Sequence, residues 1–192
     1  YPSSANFAES RAYVEYQEDV FVGYRYFETI PGAAASVCYP FGFGLSYTTF
    51  ELTEARGGLN DAGEIALAAK VTNTGKCAGK YVLQAYANPP KGKIAKPATA
   101  LVGFAKTHLL EPGESETLTI AFAPYAFATY DDEGTIQKSA YVLEKGAYSF
   151  RVGENVRETV NVDYQYVLDD DAVLEQLAQK CAPTLLHRRM LA

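Results

Sequence analysis

Three short stretches of the chain alternate between apolar and more polar side chains, and this alternation constrains the fold more than any other feature. They lie at residues 65–72, 117–122 and 148–153. Successive side chains of a β-strand point to opposite faces of the sheet, so each stretch has one face suited to a core and one suited to solvent. The pattern therefore predicts half-buried β-strands.

Turn-forming residues separate these stretches. Clusters rich in Asn, Asp, Gly and Pro occur at residues 60–63, 73–75, 111–113, 131–134 and 145–146. Short strands divided by frequent turns are typical of an antiparallel β-sandwich, and about seven strands fit between Phe50 and Val162. We therefore expect a mainly β chain with a sandwich over residues 49–165.

The first 48 residues are instead rich in aromatic side chains and glycine. Residues 20–27 form a β-prone run, and residues 40–47 place glycines between aromatic rings. Glycine lets the backbone turn tightly while the rings pack on either side of it. So much apolar surface on so little regular structure does not fold alone. We expect residues 1–48, here called the junction segment, to lie against another domain.

Residues 166–192 change to a helical pattern. Val173, Leu177 and Cys181 are spaced four residues apart, which predicts one apolar face of an amphipathic helix. Three aspartates at 169–171 precede them, where carboxylates cap the free N–H groups of a helix. We expect an extended junction segment at the start, and at the end a C-terminal helix that leads toward a further domain.

The net charge argues against two classes of partner. The 192 residues include 17 basic and 23 acidic ones, which gives a net charge of −6. Nucleic acids and anionic membranes both favour a basic face, so we expect neither as a partner. No apolar run approaches the roughly 20 residues of a membrane span, and no signal peptide is visible. We therefore expect a cytoplasmic protein.

The cysteines and histidines form no pattern of ligands. The three cysteines are widely spaced, and neither histidine has a Cys, Asp or Glu partner at metal-ligand spacing. These features predict no disulfide framework, no metal site and no cofactor. We expect small buried or half-buried thiols in a reducing compartment.

Two long motifs occupy the junction segment. Residues 18–27 read Glu-Asp-Val-Phe-Val-Gly-Tyr-Arg-Tyr-Phe, and residues 39–50 read Tyr-Pro-Phe-Gly-Phe-Gly-Leu-Ser-Tyr-Thr-Thr-Phe. They resemble Glu-Gly-Ile-Phe-Val-Gly-Tyr-Arg-Tyr and Phe-Pro-Phe-Gly-x-Gly-Leu-Ser-Tyr-Thr-x-Phe of glycoside hydrolase family 3, the β-glucosidase-like enzymes. In that family the motifs join an α/β sandwich domain to a fibronectin type III-like domain.

The predicted sandwich carries matching motifs. Residues 71–80 resemble the family's Val-x-Asn-Thr-Gly-x-x-x-Gly, residues 101–104 its Leu-x-Gly-Phe, and residues 110–115 its Leu-x-Pro-Gly-Glu-Ser. The resemblance covers residues 5–165 and implies an immunoglobulin- or fibronectin type III-like sandwich. Asp19 departs from the family's Gly. The continuation after the sandwich resembles permuted members, in which the barrel domain follows.

The resemblance also implies an activity for the intact protein. Family members hydrolyse terminal β-glycosidic bonds in carbohydrate metabolism by a retaining mechanism, which needs two carboxyl groups about 5 Å apart. The family's nucleophilic Asp lies in a (β/α)8 barrel and its acid/base Glu in the α/β domain, and neither motif occurs in this sequence. We therefore predict no catalytic residue here. The expected partners are the barrel and the α/β domain, and the expected substrate of the intact protein is a β-glucoside.

Six residues of the junction segment are candidates for contacts with those domains. They are Tyr24, Arg25, Tyr39, Phe41, Phe43 and Tyr47. Glu18 and Arg25 are also candidates for substrate binding, against a structural hydrogen bond for Glu18 and ring stacking or an ion pair for Arg25. The aromatic rings have a second interpretation as a platform for sugars.

Two other functions stay open from the sequence. The chain is alternatively a free-standing sandwich that binds carbohydrate or protein, or a structural spacer, because sandwiches host many unrelated functions. A free-standing module would not need residues 13–50 or those after 166, so both favour a part of a larger enzyme. The loop at 88–99, rich in lysine and proline, is predicted to be exposed and partly extended.

Overall fold

The computed structural model describes residues 11–12 and 18–181 of the chain. One short α-helix, α1, spans Tyr24–Phe27, and short 3-10 helices span Ala33–Ser36, Pro124–Phe127 and Gln179–Cys181. The strands are β1 (Phe50–Leu59), β2 (Ile65–Asn73), β3 (Val82–Asn88), β4 (Ala100–Lys106), β5 (Ser115–Phe122), β6 (Thr129–Asp131), β7 (Ala140–Leu143), β8 (Gly146–Gly153), β9 (Thr159–Leu168) and β10 (Ala172–Gln176).

Seven strands form the sandwich, in the order β4-β3-β8-β9-β1-β2-β5. All neighbours are antiparallel except β9 and β1, which are parallel and paired only at Arg56 and Asp163. This single pair is the seam between a layer of four strands and a layer of three. Buried residues of both layers share one hydrophobic core. The predicted mainly β sandwich is therefore confirmed.

The alternating stretches form the strands that line this core. In β2 the side chains of Ile65, Leu67, Ala69 and Val71 are all fully buried, whereas the residues between them are half-buried. Strands β5 and β8 show the same alternation. One face of each strand meets the opposite layer and the other faces outward, as the period of two predicts.

An aromatic cluster centred on Phe127 fills one end of the core. Its ring lies 5.1 Å from Tyr148, 5.7 Å from Phe150 and 6.3 Å from Phe122, in tilted or edge-on arrangements that aromatic pairs prefer. The Tyr148 hydroxyl donates to the carbonyl of Glu144, four residues upstream, at 2.9 Å. This is the tyrosine corner of immunoglobulin-like sandwiches, and it satisfies a buried hydroxyl while fixing the turn before β8.

The buried side chain of Asn73 explains the Asn-Thr-Gly motif. Its Oδ1 accepts from the Thr48 hydroxyl at 2.7 Å and from the Gly75 N–H at 3.1 Å. Its Nδ2 donates to the carbonyls of Cys77 and Leu110, each at 2.8 Å. A Cβ at Gly75 would lie 2.1 Å from the Thr48 hydroxyl, so glycine lets the junction segment approach the sandwich here.

The predicted C-terminal helix is wrong where the structure describes it. Residues 172–176 form β10, which pairs antiparallel with β7 in a second, three-stranded sheet of order β10-β7-β6. Pairing with β7 satisfies backbone groups that a lone helix would satisfy internally, so tertiary contact overrides the helical spacing. Asp171 caps no helix, because its carboxylate accepts the Lys145 N–H at 2.8 Å. Most of the expected helix after residue 181 lies outside the described residues.

Two smaller expectations are also corrected. Residues 24–27 of the β-prone run form α1 rather than a strand, and no strand of the described residues pairs with them. Without a neighbouring strand, the local i to i−4 bond from Glu28 N–H to Tyr24 carbonyl, 2.8 Å long, satisfies the backbone instead. Cys38 and Cys77 are exposed rather than buried. In the described part of the chain no helix is long and apolar enough to cross a membrane.

Candidate functional site

The most unusual surface of the molecule is a row of exposed apolar side chains in the junction segment. We call it the aromatic surface and define it as Tyr39, Phe41, Phe43, Leu45 and Tyr47. Tyr47 is 100% exposed, Leu45 93% and Tyr39 71%. Rings that large are seldom left in water next to one another unless another surface covers them.

The backbone of the aromatic surface is held firmly although its side chains are exposed. The carbonyl of Phe41 accepts the Val156 N–H at 2.9 Å. The buried Gln84 side chain donates through Nε2 to the carbonyls of Gly42 at 3.2 Å and Glu154 at 2.5 Å, and its Oε1 accepts the Tyr86 hydroxyl at 2.7 Å. These bonds fix the backbone on the sandwich, while the side chains of the aromatic surface remain exposed.

We call the hydrogen bonds from Val156 to Phe41 and from Gln84 to Gly42 the anchor, and Gly42 makes this anchor possible. Its φ is +88°, in the left-handed region that favours glycine. A Cβ at this position would lie 2.2 Å from Oε1 of Gln84. The glycine of the Pro-Phe-Gly motif therefore serves both the turn and the close approach to the Gln84 amide.

Ring stacking organises the aromatic surface further. Tyr24 stacks on Phe41 with ring centres 4.2 Å apart, and Tyr39 stacks on Phe43 at 4.9 Å. The Tyr24 hydroxyl accepts the Leu101 N–H of β4 at 2.7 Å, which ties α1 to the sandwich. Five of the six residues predicted for domain contacts are thus brought into one surface or directly beside it. Their role in such contacts stays a prediction.

Arg25, the sixth, occupies a different place. Its half-buried side chain lines a cleft of about 250 Å³ together with Lys96, Phe127, Tyr130 and Tyr141. Tyr130 and Tyr141 contact each other with ring centres 5.4 Å apart. Among the described residues, none forms an ion pair with Arg25. The ion pair that the sequence analysis considered for Arg25 therefore has no acidic partner among the described residues.

Glu18 is buried beside the start of the same motif. Its backbone carbonyl accepts the Phe21 N–H at 2.7 Å. Its side-chain Oε2 is buried and has no hydrogen-bond partner in the described ranges. The choice between a structural hydrogen bond and substrate binding at Glu18 stays a prediction. A buried oxygen without a donor is costly, and in native proteins it calls for a partner.

The acidic turn at 131–134 is structural. Asp131 is buried rather than solvated, and its carboxylate accepts the N–H groups of Gly134, Thr135, Ile136 and Gln137 at 2.6–3.0 Å. Burial works to raise the pKa of Asp131, but the four N–H donors together hold this pKa below its ordinary value. With all its oxygens engaged, the carboxylate is not available for chemistry.

Glu154 and Glu158 form a close carboxyl pair in the turn between β8 and β9. A hydrogen bond from one side chain to the other, together with burial, raises the pKa of Glu154 to about 7. The same bond and one from Asn155 lower the pKa of Glu158. Two carboxyl groups bonded to each other leave no room for a sugar between them, unlike the roughly 5 Å spacing of retaining glycosidases.

Two buried polar side chains that sequence reasoning missed position the loops around the site. One is Gln84, described above. The other is Glu144, whose carboxylate accepts the N–H groups of Lys93 at 2.6 Å and Ile94 at 3.3 Å and pairs with the buried ammonium of Lys96. It holds the 88–99 loop against the sandwich. Gln84 interrupts an apolar run in β3, a signal for a buried polar role, whereas nothing in the sequence marks Glu144.

Comparison with known proteins places this architecture among enzymes much longer than the chain. Residues 81–156 match the fibronectin type III-like domain. β-Glucosidase A of Butyrivibrio fibrisolvens is 48% identical over 206 residues, which cover 100% of this chain and 25% of that protein. The crystal structure of a β-glucosidase from Paenibacillus barengoltzii is 45% identical with a TM-score of 0.85, over 96% of this chain and 20% of that one.

A third similarity names the enzyme family. A GH3 β-glucosidase of Bifidobacterium adolescentis has 35% identity and a TM-score of 0.72, over 84% of this chain and 24% of that one. The chain therefore spans about a fifth to a quarter of the length of the proteins it resembles. In these proteins most of the polypeptide lies outside the region that corresponds to this chain.

Proposed function

The chain is the fibronectin type III-like part of a glycoside hydrolase family 3 protein, and on this premise we propose that the intact protein is a β-glucosidase. It would hydrolyse terminal β-glycosidic bonds of a β-glucoside by the retaining mechanism. The chain itself is a non-catalytic part whose aromatic surface binds the other domains of the enzyme, namely the α/β domain and the barrel. Neither nucleic acid nor a membrane is a partner in this proposal.

The observation that carries the proposal is the contrast between backbone order and side-chain exposure at the aromatic surface. A segment fixed by Gln84 and Val156 presents a rigid apolar face, and burial of apolar area against a second surface stabilises an assembly by about 25 cal/mol per Å². A flexible segment would lose conformational freedom on docking, whereas this one has already lost it. The surface is thus ready for a partner that belongs to the same protein.

The carboxylates of the chain support the assignment of chemistry to other domains. Asp131 is occupied by backbone N–H groups, and Glu154 with Glu158 forms a self-contained pair. The family's motifs for its nucleophile and its acid/base residue are also missing from the sequence. We therefore place both catalytic carboxylates of the proposed reaction outside these 192 residues.

The first experiment assays hydrolysis of a chromogenic aryl β-glucoside. The intact protein should release the chromophore, while the purified 192-residue chain at equal concentration should release none. A heat-denatured sample of the intact protein is the background control. Hydrolysis by the chain alone would contradict the assignment, and an inactive but folded intact protein would contradict the β-glucosidase proposal.

A second experiment tests the aromatic surface directly. In the intact protein, the double substitution Leu45→Ser and Tyr47→Ser should lower the melting temperature by several degrees, because about 2 kcal/mol of apolar burial is lost. Phe104→Ser is the matched control, since Phe104 is 69% exposed on the edge strand β4. Equal effects of the double variant and the control would argue that the aromatic surface is not covered.

The exposed thiols bear on the cellular location. Cys38 and Cys77 are both exposed and free, and such thiols persist best where the medium is reducing. We therefore propose a cytoplasmic location for the intact protein. Cell fractionation with activity measured in the soluble and secreted fractions tests it, and recovery of the activity outside the cell would contradict it.

A further inference from the structure

The cleft beside α1 contains two cationic side chains with unequal surroundings. Lys96 is neutralised, because its ammonium pairs with the buried carboxylate of Glu144. The Arg25 guanidinium in the same cleft has no carboxylate within ion-pair distance among the described residues. Within the described residues, one positive charge of the cleft is therefore uncompensated.

The chemistry of the cleft indicates what would compensate it. A guanidinium offers five N–H donors in a plane, and it forms its strongest pairs with a carboxylate that accepts two of them at once. The rings of Tyr130 and Tyr141 and nearby prolines make the walls largely apolar. Such walls exclude water and strengthen a charge pair, provided that the charge is matched. A neutral sugar would satisfy some donors but would leave the charge unmatched.

The position of Arg25 indicates where the carboxylate comes from. Arg25 follows Tyr24 in α1, and the Tyr24 ring stacks on Phe41 of the aromatic surface, so the same short helix carries one residue of the cleft and one neighbour of the aromatic surface. Glu18 does not serve as the partner, since it forms no ion pair with Arg25. Relatives carry three quarters or more of their length outside the matching region.

We propose that the Arg25 cleft receives the carboxylate of an Asp or Glu side chain from the part of the protein outside these 192 residues. The apolar contacts of the aromatic surface are non-directional, so they do not fix how the surfaces are aligned. A bidentate ion pair at Arg25 sets that alignment. The inference rests on the proposed function in one respect, namely that other domains of the same protein cover the aromatic surface.

Zero-length cross-linking of the intact protein tests the proposal. The variant Arg25→Lys keeps the positive charge and supplies an amine, which a water-soluble carbodiimide joins to a contacting carboxylate as an isopeptide bond. The carbodiimide takes up the elements of water and leaves as a urea. Peptide mass spectrometry should find the introduced lysine joined to an Asp or Glu outside residues 1–192. Arg157→Lys is the positive control, because Arg157 contacts Glu28 at 2.8 Å and should give a cross-link within the chain.

A measurement on the unaltered protein guards against a variant that does not fold. Phenylglyoxal modifies accessible guanidinium groups, and Arg25 in the intact protein should react at least ten-fold more slowly than Arg56. Arg56 is the reference because its side chain is 61% exposed on β1. Equal modification rates of the two arginines would overturn the proposal.

The remaining outcomes separate the possible partners. A cross-link only to Glu18 or to another carboxylate of residues 1–192 would overturn the proposal, as would no cross-link in a variant that melts normally. Stabilisation of the unaltered protein by glucuronate but not by glucose, abolished in Arg25→Gln, would replace the side chain with a small-molecule carboxylate and also overturn it. Activity on an aryl β-glucoside is measured in parallel, so failure of the proposed function is distinguished from failure at Arg25.

Discussion

The sandwich buries its large apolar side chains in its own core, whereas the junction segment leaves several of them exposed. In the sandwich, the large rings of Phe150 and Tyr148 are almost fully buried, and the buried amide of Asn73 has all its donors and acceptors paired. In the junction segment, Leu45 and Tyr47 are exposed, and the backbone nearby is held by hydrogen bonds that residues of the sandwich donate to it. One region has its own core, and the other has a defined conformation without one.

A segment can thus have a defined conformation without being stable by itself. A few backbone bonds to buried side chains suffice to hold an irregular segment, because each bond is protected from water. They do not supply the apolar burial that dominates the stability of a domain. The described contacts of the junction segment therefore give it a defined conformation without a core of its own.

The largest effect that separates the two regions is expected from paired substitutions of phenylalanine. Phe150→Ala should lower the free energy of unfolding of the chain by about 4 kcal/mol, because it leaves a cavity between Phe122, Phe127 and Tyr164. Phe43→Ala, at the exposed surface, should change it by less than about 0.5 kcal/mol. Urea unfolding of the 192-residue chain measures both. Similar losses of stability from the two substitutions would contradict the difference in burial between the two regions.

The anchor itself is tested by two alanine substitutions at glycines of one motif. Gly42→Ala places a Cβ against Gln84 at a φ of +88° and should weaken the docking of the segment by about 2 kcal/mol. Gly44→Ala is the control, because a Cβ there meets nothing within 4 Å. Hydrogen exchange of the Val156 N–H, which donates to Phe41, reports the docking. Exchange that is faster in the Gly44 variant than in the Gly42 variant would reject this anchor.

The sequence predicted the sandwich because its strands are half-buried. Where one face of a strand meets a core and the other meets solvent, every second side chain has to be apolar, as in residues 65–72. The same logic failed at the ends of the chain. The spacing of Val173 and Leu177 suits a helix, yet pairing with β7 decides the conformation, and that pairing joins residues about 30 positions apart. Such long-range pairs leave no local signal.

The candidate site was predictable in part for the same reason. The exposed rings were indicated by an apolar composition that no regular element could bury, so four of them, Tyr39, Phe41, Phe43 and Tyr47, were named from the sequence. The bond that holds their backbone was not, because Gln84 and Gly42 are separated by 42 residues. Nor was the bond that holds the 88–99 loop, because Lys93 and Glu144 are separated by 51 residues. The sequence around a single polar residue does not indicate a hydrogen-bond partner that lies more than 40 positions away. That no carboxylate of the described residues pairs with Arg25 likewise depends on the positions of every carboxylate around it.

The pH dependence of the β8–β9 turn should give a smaller effect that belongs to the anchor. The pKa of Glu154 is raised from 4.5 to about 7, so the folded chain binds more protons than the unfolded chain between these values. The free energy of unfolding should therefore fall as pH rises through this window and level off above it, by about 1 kcal/mol after allowance for solvent screening.

Glu154→Gln provides the check on that titration. Unfolding of the variant in urea at about pH 5 and about pH 7.5 should lack this fall in stability, because the titrating group is gone. Glu51→Gln, exposed on β1, should keep it. A variant with the same pH profile as the unaltered chain would assign the titration to another group and remove it from the anchor.

The smallest effect is expected at His108, on the surface of the sandwich and away from the anchor. A hydrogen bond to Glu114, at 3.0 Å from Nε2, and the Glu116 carboxylate, at 2.7 Å from Nδ1, raise the pKa of His108 above 6.5. Its stabilising contribution is complete below 6.5 and is lost as pH rises through the raised value. Because these groups are exposed, salt near 1 M should remove most of the shift. An NMR titration of the His108 ring should show Glu114→Gln lowering its pKa while Val156 N–H exchange stays unchanged. Faster exchange at Val156 in that variant would mean that the surface site at His108 is coupled to the docking of the junction segment, which would contradict the prediction.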